Sequence, residues 1–305
     1  MLAAPIGFPL AVALLMALPS ASVAQSPAVP LVVSAAWLRD HASDPKLVVL
    51  YVGPKRQYDS VHVAGARFAN LEALDAPRGA GLSLELPSVE RADSAIERLG
   101  ISNDSKVVLY TTDWVTPAAR VLLTLEWAGL GGRVGMLDGG FAAWQRAGGA
   151  TGAEVPQFAA GSFTVKPHPE LFADAATIRS ALGTRRIAVI DARDAGFYLD
   201  TLDSHMPRGG HIPGAHSVPY TSLTDEQDML KPAAELQRIF REAGAEKGKP
   251  VVVYCHIGQQ GSWVRLVART LGYDARLYDG SFQEWSANAA WPVEGLKRAT
   301  GGVGR

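Results

Sequence analysis

Four landmarks occur twice in the same order, roughly 140 to 150 residues apart, which limits the chain to folds that can be built in tandem. In the first half the apolar run Leu47-Val48-Val49-Leu50-Tyr51-Val52 precedes His62-Val63-Ala64-Gly65-Ala66. In the second, Ile187-Ala188-Val189-Ile190-Asp191 precedes His211-Ile212-Pro213-Gly214-Ala215. Val107-Val108-Leu109-Tyr110 then answers to Val252-Val253-Tyr254. Last, Leu137-Asp138-Gly139-Gly140-Phe141-Ala142-Ala143-Trp144 answers to Tyr278-Asp279-Gly280-Ser281-Phe282-Gln283-Glu284-Trp285. The chain is a duplicated domain.

Each copy alternates short apolar strands with amphipathic stretches. In the second, Ala175 to Leu182 and Ala233 to Ala243 read as helices beside strands at Ile187 and Val251. Such alternation predicts an α/β fold, a parallel sheet with helices on both faces, in each of two tandem domains. Residues 25–155 form the first domain and 170–305 the second. Between them, residues 156–169 hold the turn-rich Pro156-Gln157-Phe158-Ala159-Ala160-Gly161-Ser162 and the stiff Pro167-His168-Pro169, the composition of a linker.

Ahead of both copies, Ile6 to Leu18 is apolar and is followed by Ser22-Val23-Ala24, so residues 1–24 read as a secretory signal cut after Ala24. An uncleaved anchor is the rival, but about 13 apolar residues are short for a membrane span. The expectation is a mature protein that is periplasmic or secreted, with no membrane partner after processing. A net charge of −1 points to no nucleic acid. One cysteine in an exported chain rules out an internal disulfide, and with no second thiol there is no C-x-x-C redox pair.

That cysteine, Cys255, ends the strand-like run Val251-Val252-Val253-Tyr254. His256-Ile257-Gly258-Gln259-Gln260-Gly261 reads as a short loop, and Ser262 to Leu271 as the helix after it. Ligands of parallel α/β sheets sit at the carboxyl ends of strands, where Cys255 lies. A strand, a glycine-bearing loop and a helix start aim backbone N–H groups and a positive helix end at one sulfur. This setting predicts a cysteine biased toward thiolate, a nucleophile and not a core filler. At the same place the first copy has Thr111, then Thr112-Asp113-Trp114, with bulky Trp114 in place of the permissive Gly258. The first copy is therefore read as catalytically silent.

Other features take plainer readings. Asp191 and Arg193 suit a strand-end ion pair bracing the sheet. His205, His211 and His216 lack the spacing of a zinc site, and His211, like His62, is read as a loop organiser. Trp144 and Trp285 are read as core anchors. No metal and no organic cofactor is expected. A cysteine phosphatase needs an arginine six residues past the cysteine to clamp phosphate. That position is Gly261, and the next arginine, Arg265, is a helical turn beyond.

From about Val33 to Trp291 these residues resemble the tandem-domain rhodaneses, or sulfurtransferases. The resemblance rests on Asp191-Ala192-Arg193, His211-Ile212-Pro213-Gly214-Ala215, Cys255 opening a six-residue loop, and Asp279-Gly280-Ser281-Phe282-Gln283-Glu284-Trp285. It implies a silent first domain and an active second one. It also implies transfer of a sulfane sulfur from a small, thiosulfate-like donor through a Cys255 persulfide to cyanide or a thiol. The amides of His256, Ile257, Gly258, Gln259 and Gln260 would cradle the sulfur. The alternatives are 3-mercaptopyruvate as donor, or a non-enzymatic sulfur carrier serving a protein acceptor. The chain departs from the thiosulfate enzymes in lacking basic loop residues other than His256, and in having Phe197 where they carry a substrate-binding arginine. Arg208, and secondarily Arg193, are the candidates to supply that charge.

Overall fold

The computed structural model describes Met1 and residues 29–295. The signal segment, apart from Met1, lies outside the described residues. The strands are β1 (Val32–Val33), β2 (Leu47–Tyr51), β3 (His62–Val63), β4 (Arg67–Phe68), β5 (Lys106–Tyr110), β6 (Val134–Leu137) and β7 (Thr151–Gly152), then β8 (Phe172–Ala173), β9 (Ala188–Asp191), β10 (His216–Ser217), β11 (Pro250–Tyr254) and β12 (Asp274–Tyr278). The helices are α1 (Ala35–Asp40), α2 (Lys55–Ser60), α3 (Val89–Arg98), α4 (Val115–Leu125) and α5 (Gly140–Arg146), then α6 (Ala175–Ala181), α7 (Ala195–Tyr198), α8 (Ala233–Glu242), α9 (Gln259–Thr270) and α10 (Ser281–Ala287).

Two five-stranded sheets form, ordered β1-β6-β5-β2-β4 and β8-β12-β11-β9-β10. Every pairing within them is parallel, and the two orders are the same when equivalent strands are matched. This is the expected α/β duplication. The histidine landmarks match atom for atom: His62 Nδ1 lies 2.7 Å from the Tyr58 carbonyl and His211 Nδ1 2.7 Å from that of Tyr198, each ring stacked on the same tyrosine. Residues 154–168 carry neither helix nor strand. They are not a free tether, because Gly161, Lys166 and His168 donate backbone N–H groups to Glu97, Ala128 and Trp127 of the first domain, and Phe163 and Val165 are buried.

Alternation along the central strands sorts side chains by face. Val107 and Leu109 of β5, and Val251 and Val253 of β11, enter one apolar core that runs through both domains. Val108 and Tyr110, and Val252 and Tyr254, fill two separate cores on the outer faces. The shared core forms around α4 and α9, each placed between its own sheet and the other domain. In α4 every residue from Ala118 to Leu125 is buried, Arg120 and Thr124 included, so this stretch has no solvent face to offer. At its end the buried carboxylate of Glu126 receives Arg265 Nη1 at 2.9 Å and the Arg269 guanidinium, both from α9. Among the described residues no helix is long and apolar enough to cross a membrane.

Candidate active site

β11 pairs with β9 on one side and β12 on the other, so the chain leaving it at Cys255 emerges from the middle of the sheet. Cys255 continues the Val251, Val253 alternation and turns toward the shared core, with 1 % of its surface exposed. The chain then enters α9 at Gln259, three residues earlier than the sequence suggested. Gly258 makes the early start possible: its φ of +86° is costly for any residue with a side chain. Gln259 and Gln260 consequently belong to the first helical turn, and Gly261 joins Ile257, Gly258 and Gln260 in presenting backbone N–H groups to the sulfur.

The loop is also held from α10. Cys255 N–H donates to Ser281 Oγ at 3.3 Å, Phe282 N–H to the Cys255 carbonyl at 2.9 Å, and Gln283 N–H to the His256 carbonyl at 2.9 Å. Ser281 adopts φ +51°, and the equivalent Gly140 of the first copy adopts φ +52°. A left-handed serine is strained where the silent copy uses glycine, and its hydroxyl is what the strain secures. Sequence reasoning missed Ser281, although a non-glycine standing against a glycine in the repeat was a signal that could have found it.

The electrostatics correct two expectations. Burial pushes the Cys255 thiol above its ordinary range, and the amides of Gly261, Ile257, Gly258 and Gln260 offset this only in part. His256 is pushed down to about 4, chiefly by burial and then by the nearby Arg193 guanidinium, so it is neutral at pH 7. It stands edge-on to Phe197 at 4.7 Å. Burial and the amide crown thus pull the sulfur in opposite directions, with burial the larger. Because the thiolate is the reactive form, alkylation of Cys255 by iodoacetamide should accelerate with pH to a midpoint above that of a free cysteine. A rate already at its plateau below pH 7 would contradict this.

Arg193 is fully buried and grips Asp191 through Nε and Nη2, with Nη2 also donating to the Gly210 carbonyl at 2.7 Å. Its guanidinium lies 4.1 Å from the Phe282 ring centroid, and Nη1 has no partner. Arg208 is placed elsewhere. Its guanidinium donates to the carbonyls of Trp285, Ser286, Asn288 and Trp291, beyond the α10 end opposite the one that holds Cys255. It closes that helix terminus, where orphan carbonyls attract cations, and the structure does not bring it to the cysteine. Arg265, the nearest arginine after Cys255, is committed to Glu126. Thr111 occupies the place of Cys255 at the end of β5, as the repeat required.

A cavity of about 130 Å³ adjoins the sulfur, lined by Cys255, His256, Ile257, Gln259, Gln260 and Tyr220 together with Trp114 and Thr116 of the first domain. Trp114, 71 % exposed, therefore forms part of the wall of the active cleft as well as standing in the silent loop. A second cleft of about 890 Å³, lined mainly by residues 70–84, reaches Ile257 and Gln259 from the other domain. Among the described residues no group of three or more His, Cys, Asp or Glu could hold a metal.

A buried cysteine under a crown of backbone amides thus stands at the carboxyl end of a parallel sheet, where small ligands bind in folds of this class. A Rhodanese-like domain matches residues 34–147 and again 174–288. The chain belongs to the rhodanese-like family, in its two-domain form. It is 32 % identical over 278 residues to the 3-mercaptopyruvate sulfurtransferase of Escherichia coli K12, covering 87 % of this chain and 98 % of that one. It is 30 % identical to the thiosulfate sulfurtransferase of Gallus gallus, over 76 % of this chain and 80 % of the other. A sulfur carrier protein, TtuD, of Thermus thermophilus is also 30 % identical, with coverage of 86 % and 95 %. Among solved structures it is similar to SseA of E. coli, studied as a 3-mercaptopyruvate sulfotransferase, with a TM-score of 0.74, 30 % identity, and coverage of 83 % and 99 %.

Proposed function

We propose that the protein is a sulfurtransferase in which Cys255 carries the sulfur as a persulfide, with 3-mercaptopyruvate as the favoured donor. The Cys255 thiol gives up its proton, the resulting thiolate attacks the donor sulfur, the carbon–sulfur bond breaks, and its electrons leave as the enolate of pyruvate, which takes up a proton. The outer sulfur, now bound to Cys255, is then attacked by cyanide or a thiolate, and the cysteine returns as thiolate. A persulfide is a stronger acid than a thiol, so the amides of Ile257, Gly258, Gln260 and Gly261 suit the loaded state better than the resting one.

The donor choice rests on one observation: among the described residues no cationic side chain lines the cavity at Cys255, and His256, the one titratable base there, is held neutral. Thiosulfate would bring two negative charges into that space, the α-keto acid one. This supports 3-mercaptopyruvate over the thiosulfate-like donor that the family resemblance first suggested. Steady-state transfer to cyanide from each donor tests it. The ratio of kcat/KM should favour 3-mercaptopyruvate by about tenfold or more, equivalent to about 1.4 kcal/mol of differential stabilisation. Equal or reversed values would remove the donor assignment and leave the persulfide intact.

A protein acceptor is a second reading, favoured by the cleft of about 890 Å³ beside Ile257 and Gln259, far larger than either small donor needs. The apolar leader and Ser22-Val23-Ala24 support work outside the cytoplasm.

A further inference from the structure

One fully buried side chain of the first domain reaches the back of the catalytic loop. Arg120, in the middle of α4, is fully buried. Its Nη1 donates to Asp279 Oδ1 in the second domain, and its Nη2 to the Leu84 carbonyl in the first. A Cβ placed on Gly258 would lie 3.2 Å from Arg120 Nη1, 3.3 Å from Asp279 Oδ1 and 3.4 Å from the Asp279 carbonyl. The guanidinium and its carboxylate are therefore packed directly behind the residue that lets the loop curl. Asp279 precedes Gly280-Ser281, and Ser281 Oγ accepts the Cys255 N–H while Phe282 N–H holds the Cys255 carbonyl.

From these contacts we infer that Arg120 is a positioning residue for sulfur transfer: it fixes the Asp279 turn and the back of Gly258, and through them the amide crown over Cys255. It is not among the residues lining the cavity at Cys255. A planar guanidinium suits the task because it spans two acceptors in different domains with a fixed fork, which a lysine ammonium cannot reproduce. The first domain is thereby a working part of the active site, supplying one support of the catalytic loop. The inference rests on Cys255 being the sulfur carrier.

The test uses the full chain with Arg120→Met, Arg120→Lys, Asp279→Asn and, as control, Arg269→Ala, which loosens the same interface about ten residues down α9. Two quantities are read, the rate of persulfide formation from 3-mercaptopyruvate and the pH midpoint of Cys255 alkylation. Misplaced catalytic geometry costs on the order of 10-fold to 100-fold in rate, and Arg120→Met and Asp279→Asn should each lose that much. Both should also move the alkylation midpoint upward, since the amides then offset burial less well. Arg120→Lys should recover part of the loss, and Arg269→Ala should keep the parent midpoint even if it melts earlier. A general loss of stability would lower the melting point of all four without moving the midpoint, and that pattern overturns the inference. So does a parent-like rate in folded Arg120→Met. If that variant does not fold, a parent-like rate and midpoint in Asp279→Asn overturn it equally. Failure of the parent to take sulfur from any donor would strike the proposed function alone, because alkylation still reports on the crown.

Discussion

Cys255→Ser is expected to remove sulfur transfer by a factor on the order of 10⁴ or more, the scale on which loss of a covalent nucleophile is felt. Serine matches cysteine closely in shape, and its hydroxyl can take the amides now facing the sulfur, so the fold should be unaffected. What it lacks is a polarisable atom able to bond a second sulfur. With one cysteine in the chain the chemistry can also be followed directly. The intact mass of the parent should rise by one sulfur atom on incubation with donor and fall again with cyanide, and Cys255→Ser should show neither change. A persistent gain in the serine variant, or transfer within tenfold of the parent, would place the sulfur elsewhere.

The largest loss of stability is expected from Glu126→Gln. The Glu126 carboxylate is 1 % exposed and lies between Arg265, equally buried, and Arg269, which is 28 % exposed. Arg265 already leaves Nε and Nη2 without partners. Removing the one negative charge strands its guanidinium in the apolar core between the domains, and breaking a buried pair in this way costs about 3–5 kcal/mol. Arg269 can swing toward water, whereas Arg265 cannot. Replacing both buried members, Glu126→Leu with Arg265→Leu, should recover most of the loss, since two charges leave together and apolar groups fill their space. Urea unfolding with the two variants side by side measures this, and a single variant within about 1 kcal/mol of the parent would show the interface is wetter than its packing implies.

What the sequence made legible was the part governed by local pattern. Strand runs such as Val107-Val108-Leu109-Tyr110, the helices near Ala175 and Ala233, the two-fold repeat and the position of Cys255 at the end of a central strand all follow from periodicity and from glycine. The start of α9 was misplaced because Gly258 acts as a left-handed cap, and a glycine three residues further on was equally plausible as the end of the loop. The raised thiol could not be read, because helix-start amides are visible in a sequence but the depth of burial that opposes them is not. Arg208 looked like a free loop cation only until the end of α10 was in view. Arg120, Trp114 and Thr116 escaped for one reason: they reach the site from the other copy, more than 100 residues away in sequence, and nothing in their own segment marks that reach.

The shared core has a consequence for how such a duplication can change with time. Thr111 stands in the first copy where the second has Cys255, so the two copies differ at the position of the sulfur. Yet its longest apolar helix, α4, is buried along nearly its whole length, and part of that burial lies against the second copy. Tolerance of substitution in the first copy should therefore be uneven, narrow along α4 and at Trp114 and Thr116, which line the cavity at Cys255, and broader over its exposed surface. The first copy is here confined by shape and contact, and the two halves, sharing one core, are expected to be inherited as one unit and not divided at their seam.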